Sequence, residues 1–419
     1  MSHTIAGIDV HKKVLMVVVI DATAPDETPE RRRFATMPSD LRRLAGWLRE
    51  RDVKEAVMES TAQYWRSVWL ELEPHMLLHL AQAFSNRAPR GRKHDFRDAE
   101  RLVRRLIADE LILSFVPDGE QRIWRNLTRS RTQLSRDRVR LQSQMECLLE
   151  EMRIKLSSVV SDLLGASGRR ILCALAKGET DPRELAALRD DRLKCTEAQL
   201  VDALTGSFQP MHRQMLALQL EHLELIDTQM EKLSRMIAEA MKPHQEAVMR
   251  LAQVPGFGVE SAQQVISEVG VEASTFASAA ELTSWVGTCP GRDESAGENH
   301  NSRTAKGNRY LRRVLNQAAH AAVRKKGSHF QTVFRRLLAR LGYQSAIWAV
   351  AHRLCRVVWK ILHERVTFLE QGDQPDPERV KRRAKDLARA LRRLGYEVVI
   401  SPINPMIQNG TQILGDLGM

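Results

Sequence analysis

The chain has 419 residues, a formal net charge of +12 and an isoelectric point near 9.7. Hydrophobic residues make up 43% of the sequence, which is enough to build real cores and therefore excludes a disordered basic protein. The length predicts two or three domains, and the excess of positive charge favours a polyanionic partner such as nucleic acid.

Cysteines and apolar runs indicate the compartment. The five cysteines lie far apart and form no Cys-x-x-Cys pair, so neither a disulfide framework nor a zinc site is expected. The longest strongly apolar run, Val14 to Ile20, is too short to cross a bilayer. Because Asp9 and a His-Lys-Lys cluster interrupt the N-terminus, no signal peptide is expected. We therefore predict a cytoplasmic, nucleoid-associated protein that has no membrane partner.

Residues 1–117 have the pattern of an α/β domain. Three strands are predicted first, followed by a helix, a strand, a helix, a strand and a helix: Thr4–Val10, Val14–Asp21, Arg31–Thr36, Ser39–Arg51 with Ser39 as its N-cap, Lys54–Glu59, Tyr64–Glu73, Met76–Gln82 and Asp95–Leu106. This order is typical of a ribonuclease-H-like fold. In that fold the first and fourth strands are neighbours.

Four carboxylates stand at the ends of these elements. Asp9 and Glu59 end apolar strands, and Asp95 and Asp98 lie three residues apart on one face of the last helix. Singly, each acid is more commonly a turn, cap or solvated residue. In this order, however, the four acids are predicted to lie close together, where their negative charges repel one another unless a cation binds between them. Because hard oxygen ligands suit Mg²⁺, the set indicates a two-metal site that cuts nucleic acid.

Residues 118–243 are predicted to form a helical arm. Leucines recur every seven residues along its first helix, and a matching apolar pattern runs from Leu216 to Ile237, which together predict an antiparallel coiled coil. The pattern leaves open whether the arm is a plain helical element or a dimerisation device. The first helix also carries arginines that either form a solvated face or follow a phosphate backbone: Arg129, Arg131, Arg136, Arg138 and Arg140.

Residues 244–370 are predicted to form a mainly helical third domain. A Pro-Gly-Phe-Gly turn between two apolar segments resembles a helix-hairpin-helix motif, in which Gly256 and Gly258 would let backbone N–H groups approach a phosphate. The alternative is a tight turn that binds no ligand.

Farther along, Ser295 lies in a polar loop before a cationic segment whose members are predicted to contact nucleic acid: Arg303, Lys306, Arg309, Arg312 and Arg313. Chemistry alone makes Ser295 only a candidate nucleophile, because loop serines are mostly turn or cap residues. Residues 371–419 are predicted to be a basic helical tail. From Arg303 to Tyr396 the sequence has 23 Lys or Arg against 6 Asp or Glu.

These motifs together resemble the IS110 family of insertion-sequence transposases, the DEDD transposases also described as bridge-RNA-guided recombinases. The resemblance extends from Gly7 to about Arg365, and five segments carry it: Gly-Ile-Asp-Val-His-Lys at 7–12, Met-Glu-Ser-Thr at 58–61, Lys-His-Asp-Phe-Arg-Asp-Ala at 93–99, Pro-Gly-Phe-Gly at 255–258, and Glu-Ser-Ala-Gly at 294–297 followed by Thr-Ala-Lys-Gly-Asn-Arg at 304–309.

The resemblance implies a RuvC-like N-terminal domain with its acidic tetrad at Asp9, Glu59, Asp95 and Asp98, a coiled-coil arm, and a C-terminal transposase domain with its nucleophile at Ser295. It implies a dimer of dimers, a structured guide RNA that pairs with donor and target DNA, and attack by the serine on a metal-bound phosphodiester. That attack leaves a phosphoserine link and a free 3′-hydroxyl, and strand exchange follows.

One position departs from the family pattern. Where the family usually has a basic residue after the serine and glycine, this chain has Glu298 and Asn299. Arg303 or Lys306 is expected to supply the missing positive charge, and Ser302 is a lesser candidate for the nucleophile.

Three functions therefore remain open at this stage. The first is an RNA-guided DNA recombinase, and the second is a RuvC-like junction nuclease that uses only the four acids. The third is a non-catalytic, basic nucleic-acid-binding protein whose acids serve as caps.

Overall fold

A computed structural model describes residues 3–24, 28–59, 62–83, 95–291, 294–295, 298–299, 304–370, 377–393 and 397–399. The chain forms two compact units, Met1–Gly119 and Glu120–Met419, which we call the N-terminal and C-terminal units. The predicted division of the C-terminal unit into arm, transposase domain and tail stays a prediction. Arg303 and Ser302 lie outside the described residues, as does most of the predicted tail beyond residue 393.

A five-stranded sheet organises the N-terminal unit. Its strands are β1 (Thr4–Val10), β2 (Val14–Asp21), β3 (Glu30–Ala35), β4 (Val53–Glu59) and β5 (Leu77–Ala81). The strand order is β3-β2-β1-β4-β5, with β1, β2 and β3 antiparallel and with β4 parallel to both β1 and β5. The predicted neighbourhood of the first and fourth strands is thus confirmed.

Helices cover both faces of this sheet. Because side chains alternate between faces along a strand, Ile8 and Met58 point to one face with α1 (Pro38–Glu50) and α2 (Trp65–Leu72). Ile5 and Val57 point to the other face, where α3 (Asp95–Ile107) packs through Ala99, Leu102 and Val103. Both layers are well buried, which is what a sheet sandwiched between helices requires.

The first helix begins differently from the prediction. Pro38 occupies its first turn and Met37 is the N-cap, without a side-chain cap bond. Ser39 therefore lies inside the helix, and its predicted capping role is wrong. The reason is that proline already has a helical φ and lacks the N–H group that a cap would satisfy.

The first part of the C-terminal unit is helical. Two long helices, α4 (Gly119–Glu151) and α9 (Pro210–Ala240), are joined by four short ones: α5 (Leu156–Val159), α6 (Ala166–Lys177), α7 (Pro182–Ala187) and α8 (Glu197–Leu204). Polar bonds show that the long helices run antiparallel, since Trp124 Nε1 donates to Ala240 O at 3.2 Å and Arg138 Nε donates to Asp227 Oδ1 at 2.9 Å. Coiled-coil geometry and dimerisation stay predictions.

The remaining elements of the C-terminal unit include the helices of a second core. They are α10 (Gln245–Ala252), α11 (Val259–Val269), α12 (Ala279–Val286), β6 (Glu294–Ser295), β7 (Glu298–Asn299), α13 (Arg309–Ala322), α14 (His329–His363) and α15 (Pro377–Arg393). Buried residues such as Leu251, Ile266, Leu315 and Leu354 join α10, α11, α13 and α14 in one cluster. Among the described helices, none combines the length and hydrophobicity that a membrane crossing needs.

Candidate active site

Asp9 and Glu59 stand at the same edge of the sheet. Ile8 of β1 is in register with Met58 of the parallel strand β4, and each acid is the next residue along its strand. Asp9 shares the face of Ile5, and Glu59 shares the face of Val57. The two carboxylates therefore leave neighbouring strands on the face that α3 covers.

Gly7 lets α3 lie directly on β1. A Cβ atom built at this glycine would stand 2.1 Å from the backbone oxygen of Ala99 and 2.7 Å from a methyl carbon of Val103. No side chain fits there, so only glycine allows the helix this close. Because α3 begins at Asp95, this close packing brings Asp95 towards the end of β1 that carries Asp9.

Three donor groups come together at that point. His11 Nε2 lies 3.1 Å from Asp9 Oδ2 and 4.0 Å from Asp95 Oδ1. Among the described residues, Asp9, His11 and Asp95 each offer one ligand atom, and these atoms all lie within 4.8 Å of one another. Two carboxylate oxygens and an imidazole nitrogen form a donor set that fits a divalent cation, and the two carboxylates suit Mg²⁺ or Mn²⁺.

The other two predicted acids are less tightly grouped. Glu59 and Asp98 do not belong to the three-residue cluster, although Glu59 ends the neighbouring strand. Asp98 lies one turn after Asp95 and forms an ion pair with Arg101 at 3.3 Å. The structure thus joins Asp9 and Asp95 directly and adds His11, which the sequence analysis did not single out. Its position two residues after Asp9, directly after the end of β1, is the sequence feature that could have indicated it.

Replacing Gly7 by alanine should disturb the cluster without touching a donor atom. The added methyl group collides with backbone, which cannot rotate away, so α3 must shift and Asp95 must move with it. We expect a loss of about 1–3 kcal/mol of unfolding free energy, which is typical of overpacking, together with weaker metal binding. Thermal melting with and without Mn²⁺ measures both effects.

Gly46 supplies the matched control. It lies within α1, where an added Cβ would meet nothing within 4 Å. Gly46→Ala should raise stability by about 0.5–1 kcal/mol, because alanine favours a helix interior over glycine. A Gly7→Ala protein with unchanged melting and unchanged response to Mn²⁺ would show that α3 does not set the geometry of the cluster.

The predicted nucleophile lies in a short hairpin of the C-terminal unit. β6 and β7 are antiparallel, and Ser295 is in register with Glu298. A bridge between Pro290 and Thr304 closes the base of the loop that contains them. The side chain of Ser295 lies outside what the structure describes, so its role stays a prediction.

A buried carboxylate holds the start of α13. Glu268 is fully buried and accepts two hydrogen bonds from Arg129, at 2.7 and 2.8 Å. Glu268 Oε2 also accepts a hydrogen bond from Asn308 Nδ2 at 2.8 Å, and Asn308 Oδ1 caps α13 by accepting from the backbone N–H of Tyr310. Burial lowers the pKa of Arg129, but the hydrogen bonds to Glu268 and the charges of Glu268 and Tyr310 together outweigh burial, so the pKa is raised. The cationic segment is therefore anchored to α4 and α11.

The predicted nucleic-acid contacts differ in how accessible they are. Lys306 and Arg309 are exposed, and Arg309 stacks on Tyr310 with its guanidinium carbon 4.9 Å from the ring centre. Arg312 is instead engaged inside the protein: it donates to Thr304 Oγ1 at 2.9 Å and to Ala305 O at 3.1 Å. Burial lowers its pKa. Arg312 is thus placed to brace the cationic segment.

Gly256 and Gly258, the two glycines of the predicted helix-hairpin-helix turn, both make contacts within the protein. Gly256 has a φ of 94°, and a Cβ there would stand 2.1 Å from the backbone oxygen of Ala318 in α13. The Gly258 N–H group already donates to Ser261 Oγ at 2.8 Å. Packing between helices explains the first glycine, and phosphate binding by the turn stays a prediction.

Most arginines of the arm are paired with acids. Arg129 pairs with Glu268, Arg131 with Glu260, Arg138 with Asp227, and Arg140 with Asp137. Among the described residues, Arg136 is the member of the predicted run that bonds to no carboxylate. The run is therefore largely a set of internal ion pairs.

Two segments of the chain match models of known protein families, and each segment contains one of the candidate groups described above. Residues 6–154, which include the acidic cluster, match a DEDD transposase family model described as "Transposase". Residues 248–335, which include the hairpin of Ser295, match the family described as "Transposase IS116/IS110/IS902 family". Together the matches cover more than half of the chain.

The chain is also 24% identical over 314 residues to a "Probable family 20 transposase" of Pseudomonas aeruginosa, a match that covers 74% of this chain and 83% of that protein. The DEDD domain implies a ribonuclease-H-like fold and a requirement for a divalent metal, and the family implies that DNA is the substrate. By its sheet, its acidic cluster and both matched segments, the chain belongs to the IS110 family of insertion-sequence transposases.

Proposed function

We propose that the protein is a recombinase that cuts and rejoins DNA strands with a metal-holding acidic cluster and a serine nucleophile. The observation that supports this most is the convergence of Asp9, His11 and Asp95 at the carboxyl end of β1, beside the strand that ends in Glu59. A polar cluster at such an edge is positioned to receive a phosphate chain from solvent.

Asp9, Glu59, Asp95 and Asp98 would hold the cation, for which we propose Mg²⁺. When bound, a divalent cation neutralises charge on a phosphodiester and stabilises the charge that develops in the transition state. His11 lies 3.1 Å from Asp9 Oδ2 and fixes the orientation of that carboxylate. Arg101 does the same for Asp98 at 3.3 Å. Both neighbours limit the rotation of the acids before any ligand arrives.

Ser295 would supply the attacking oxygen. Its hydroxyl loses a proton as a bond forms from oxygen to phosphorus, the bond from phosphorus to the 3′ oxygen breaks, and that oxygen gains a proton to become a 3′-hydroxyl. Serine needs nearby positive charge for such a step. The exposed side chains of Lys306 and Arg309, together with Arg303, are the proposed source of that charge.

A structured guide RNA and a dimer of dimers complete the proposal. The net charge of +12 favours a second polyanion besides DNA. Base pairing by an RNA would supply sequence recognition, which suits a chain whose aromatic content is only 5% and therefore has few surfaces for base stacking.

Trapping of a covalent adduct tests the proposed function. Full-length protein, purified with the RNA that accompanies it, is incubated with end-labelled DNA from the ends of its element, in Mg²⁺ or in EDTA. Denaturing gels then separate free strands from protein-linked strands.

Three outcomes separate the possible functions. A recombinase gives protein-linked DNA in Mg²⁺ alone. Cut strands without an adduct would instead indicate a RuvC-like junction nuclease. Binding without any cutting, indifferent to metal, would indicate a non-catalytic nucleic-acid-binding protein.

A further inference from the structure

A polar cavity lies inside the C-terminal unit. It has a volume of about 350 Å³ and is bounded by α4, α9, the turn at Gly256, α11 and α13. Its walls include Thr132, Ser234, Ser261, Gln263 and Arg313. Small-ligand pockets usually measure roughly 300–1,000 Å³, so this one has room for a phosphate and part of a sugar.

The positive charge at this cavity is only partly compensated. Arg131 is satisfied, because its guanidinium donates to Ser234 Oγ at 2.8 Å and to the carboxylate of Glu260. Arg313 differs from it: its Nη1 atom is buried and has no hydrogen-bond partner within the described part of the chain. Among the described residues that line the cavity, Glu260 is the one that carries a carboxylate, and it is already paired with Arg131.

A second unpaired cation lies near the first. Burial lowers the pKa of Arg313, and the positive charge of Arg136 lowers it further. Neither arginine forms an ion pair with any acid in the residues the structure describes. A buried guanidinium N–H without an acceptor destabilises the fold, and like charges nearby add to that penalty. An anion in the cavity would relieve both penalties at once.

We propose that this cavity binds a phosphate group of a nucleic-acid backbone, with Arg313 as its principal ligand and Arg136 as a supporting charge. A guanidinium presents two parallel N–H groups that match two phosphate oxygens. Glu260 does not occupy these groups of Arg313, because its carboxylate is paired with Arg131. That nucleic acid is the source of the phosphate rests on the proposed function, whereas the affinity for phosphate itself does not. RNA and DNA share this chemistry, and the experiment distinguishes them.

The test compares the affinities of full-length variants in EDTA, so that no strand is cut. The probes are inorganic phosphate, a single-stranded RNA and a DNA duplex of the same sequence, each titrated over a range of salt. Arg313→Gln keeps the length of the side chain and removes its charge. Arg192→Gln is the matched control, because that side chain is 91% exposed and its ion-pair partner within the described residues is the nearby Asp190.

We expect Arg313→Gln to weaken phosphate binding and the binding of one or both nucleic acids about tenfold or more, and to reduce the salt slope by about one. The control should change each affinity less than about twofold. Arg136→Gln should weaken the same probes by a smaller factor, and it replaces Arg313→Gln if circular dichroism shows that the latter is unfolded. The nucleic acid whose affinity falls is the source of the phosphate.

Three results would overturn the proposal. In the first, both variants bind every probe with unchanged affinity. In the second, only phosphate binding is weakened, and the affinities for RNA and DNA are unaffected. Competition by acetate as strong as by phosphate is the third, since it would show a general carboxylate site that fits an acidic side chain of another copy. A wild-type protein that binds all the probes but never cuts DNA contradicts the proposed function and leaves the phosphate site standing.

Discussion

Replacement of Asp9 by asparagine is expected to slow DNA strand cutting by about a thousandfold or more. The change keeps the size of the side chain and a group able to bond His11, but it removes the charge that attracts a cation to the cluster. Loss of about 4 kcal/mol of transition-state stabilisation corresponds to a thousandfold in rate, and metal-ion catalysis supplies several kcal/mol. Cutting rates in Mg²⁺ and Mn²⁺, with folding checked by circular dichroism, measure the effect.

Asp21 gives the matched control for this variant. It also ends a strand of the sheet, but it pairs with Thr4 at the opposite end of β1, and it bonds Thr23. Asp21→Asn should therefore cut DNA at close to the normal rate. The metal response offers an independent readout, because Mn²⁺ should raise the melting temperature of the Asp21 variant and have little effect on the Asp9 variant. Cutting by the Asp9 variant at an ordinary rate would refute a catalytic role for the cluster.

Replacement of Ser295 by alanine should abolish the protein–DNA adduct and lower strand transfer at least about a thousandfold, because the variant lacks the oxygen that attacks phosphorus. Affinity for RNA and DNA should stay within about twofold, since one small hydroxyl is removed from a hairpin that the backbone pairing of β6 and β7 holds together. Adduct gels and filter binding on the same preparations measure the two properties separately.

Ser302 is the natural comparison for Ser295, because it lies seven residues later in the sequence. Ser302→Ala should keep both adduct and strand transfer. The reverse result, with an adduct in the Ser295 variant and none in the Ser302 variant, would move the nucleophile seven residues along the chain. Ser295→Cys adds a positive test, since a thiol at this position should give a sulfur-linked product that differs in chemical stability from the phosphoserine link.

The sheet was the most predictable part of the fold. β1 and β2 begin and end at the predicted residues, because runs such as Val14 to Ile20 are rich in β-branched residues and are bounded by polar ones, here Lys13 and Asp21. The parallel pairing of β1 with β4 followed from the order of elements. The short helices α5 to α8 were not predicted individually, since four to twelve residues carry too little periodicity to define a helix.

The candidate site was predictable where a residue marks the end of an element. Asp9, Glu59 and Asp95 stand out because each ends an apolar strand or begins a helix. The internal roles of the arginines were not predictable, because their partners are distant in sequence: Arg129 meets Glu268 across 139 residues and Arg138 meets Asp227 across 89. A run of basic residues has the same sequence pattern whether its side chains contact solvent, nucleic acid or a buried acid.

The buried carboxylate of Glu268 has a consequence for building hybrids between related transposases. It binds Arg129 of α4 and Asn308 at the start of α13, so these two segments must come from the same parent. A crossover at Gly119, the last residue of the N-terminal unit, keeps all three residues together. A crossover after α4 would instead place an unmatched helix against a fully buried acid, and an uncompensated buried charge costs about 3–5 kcal/mol. Functional hybrids should therefore join at the first site and fail to fold at the second.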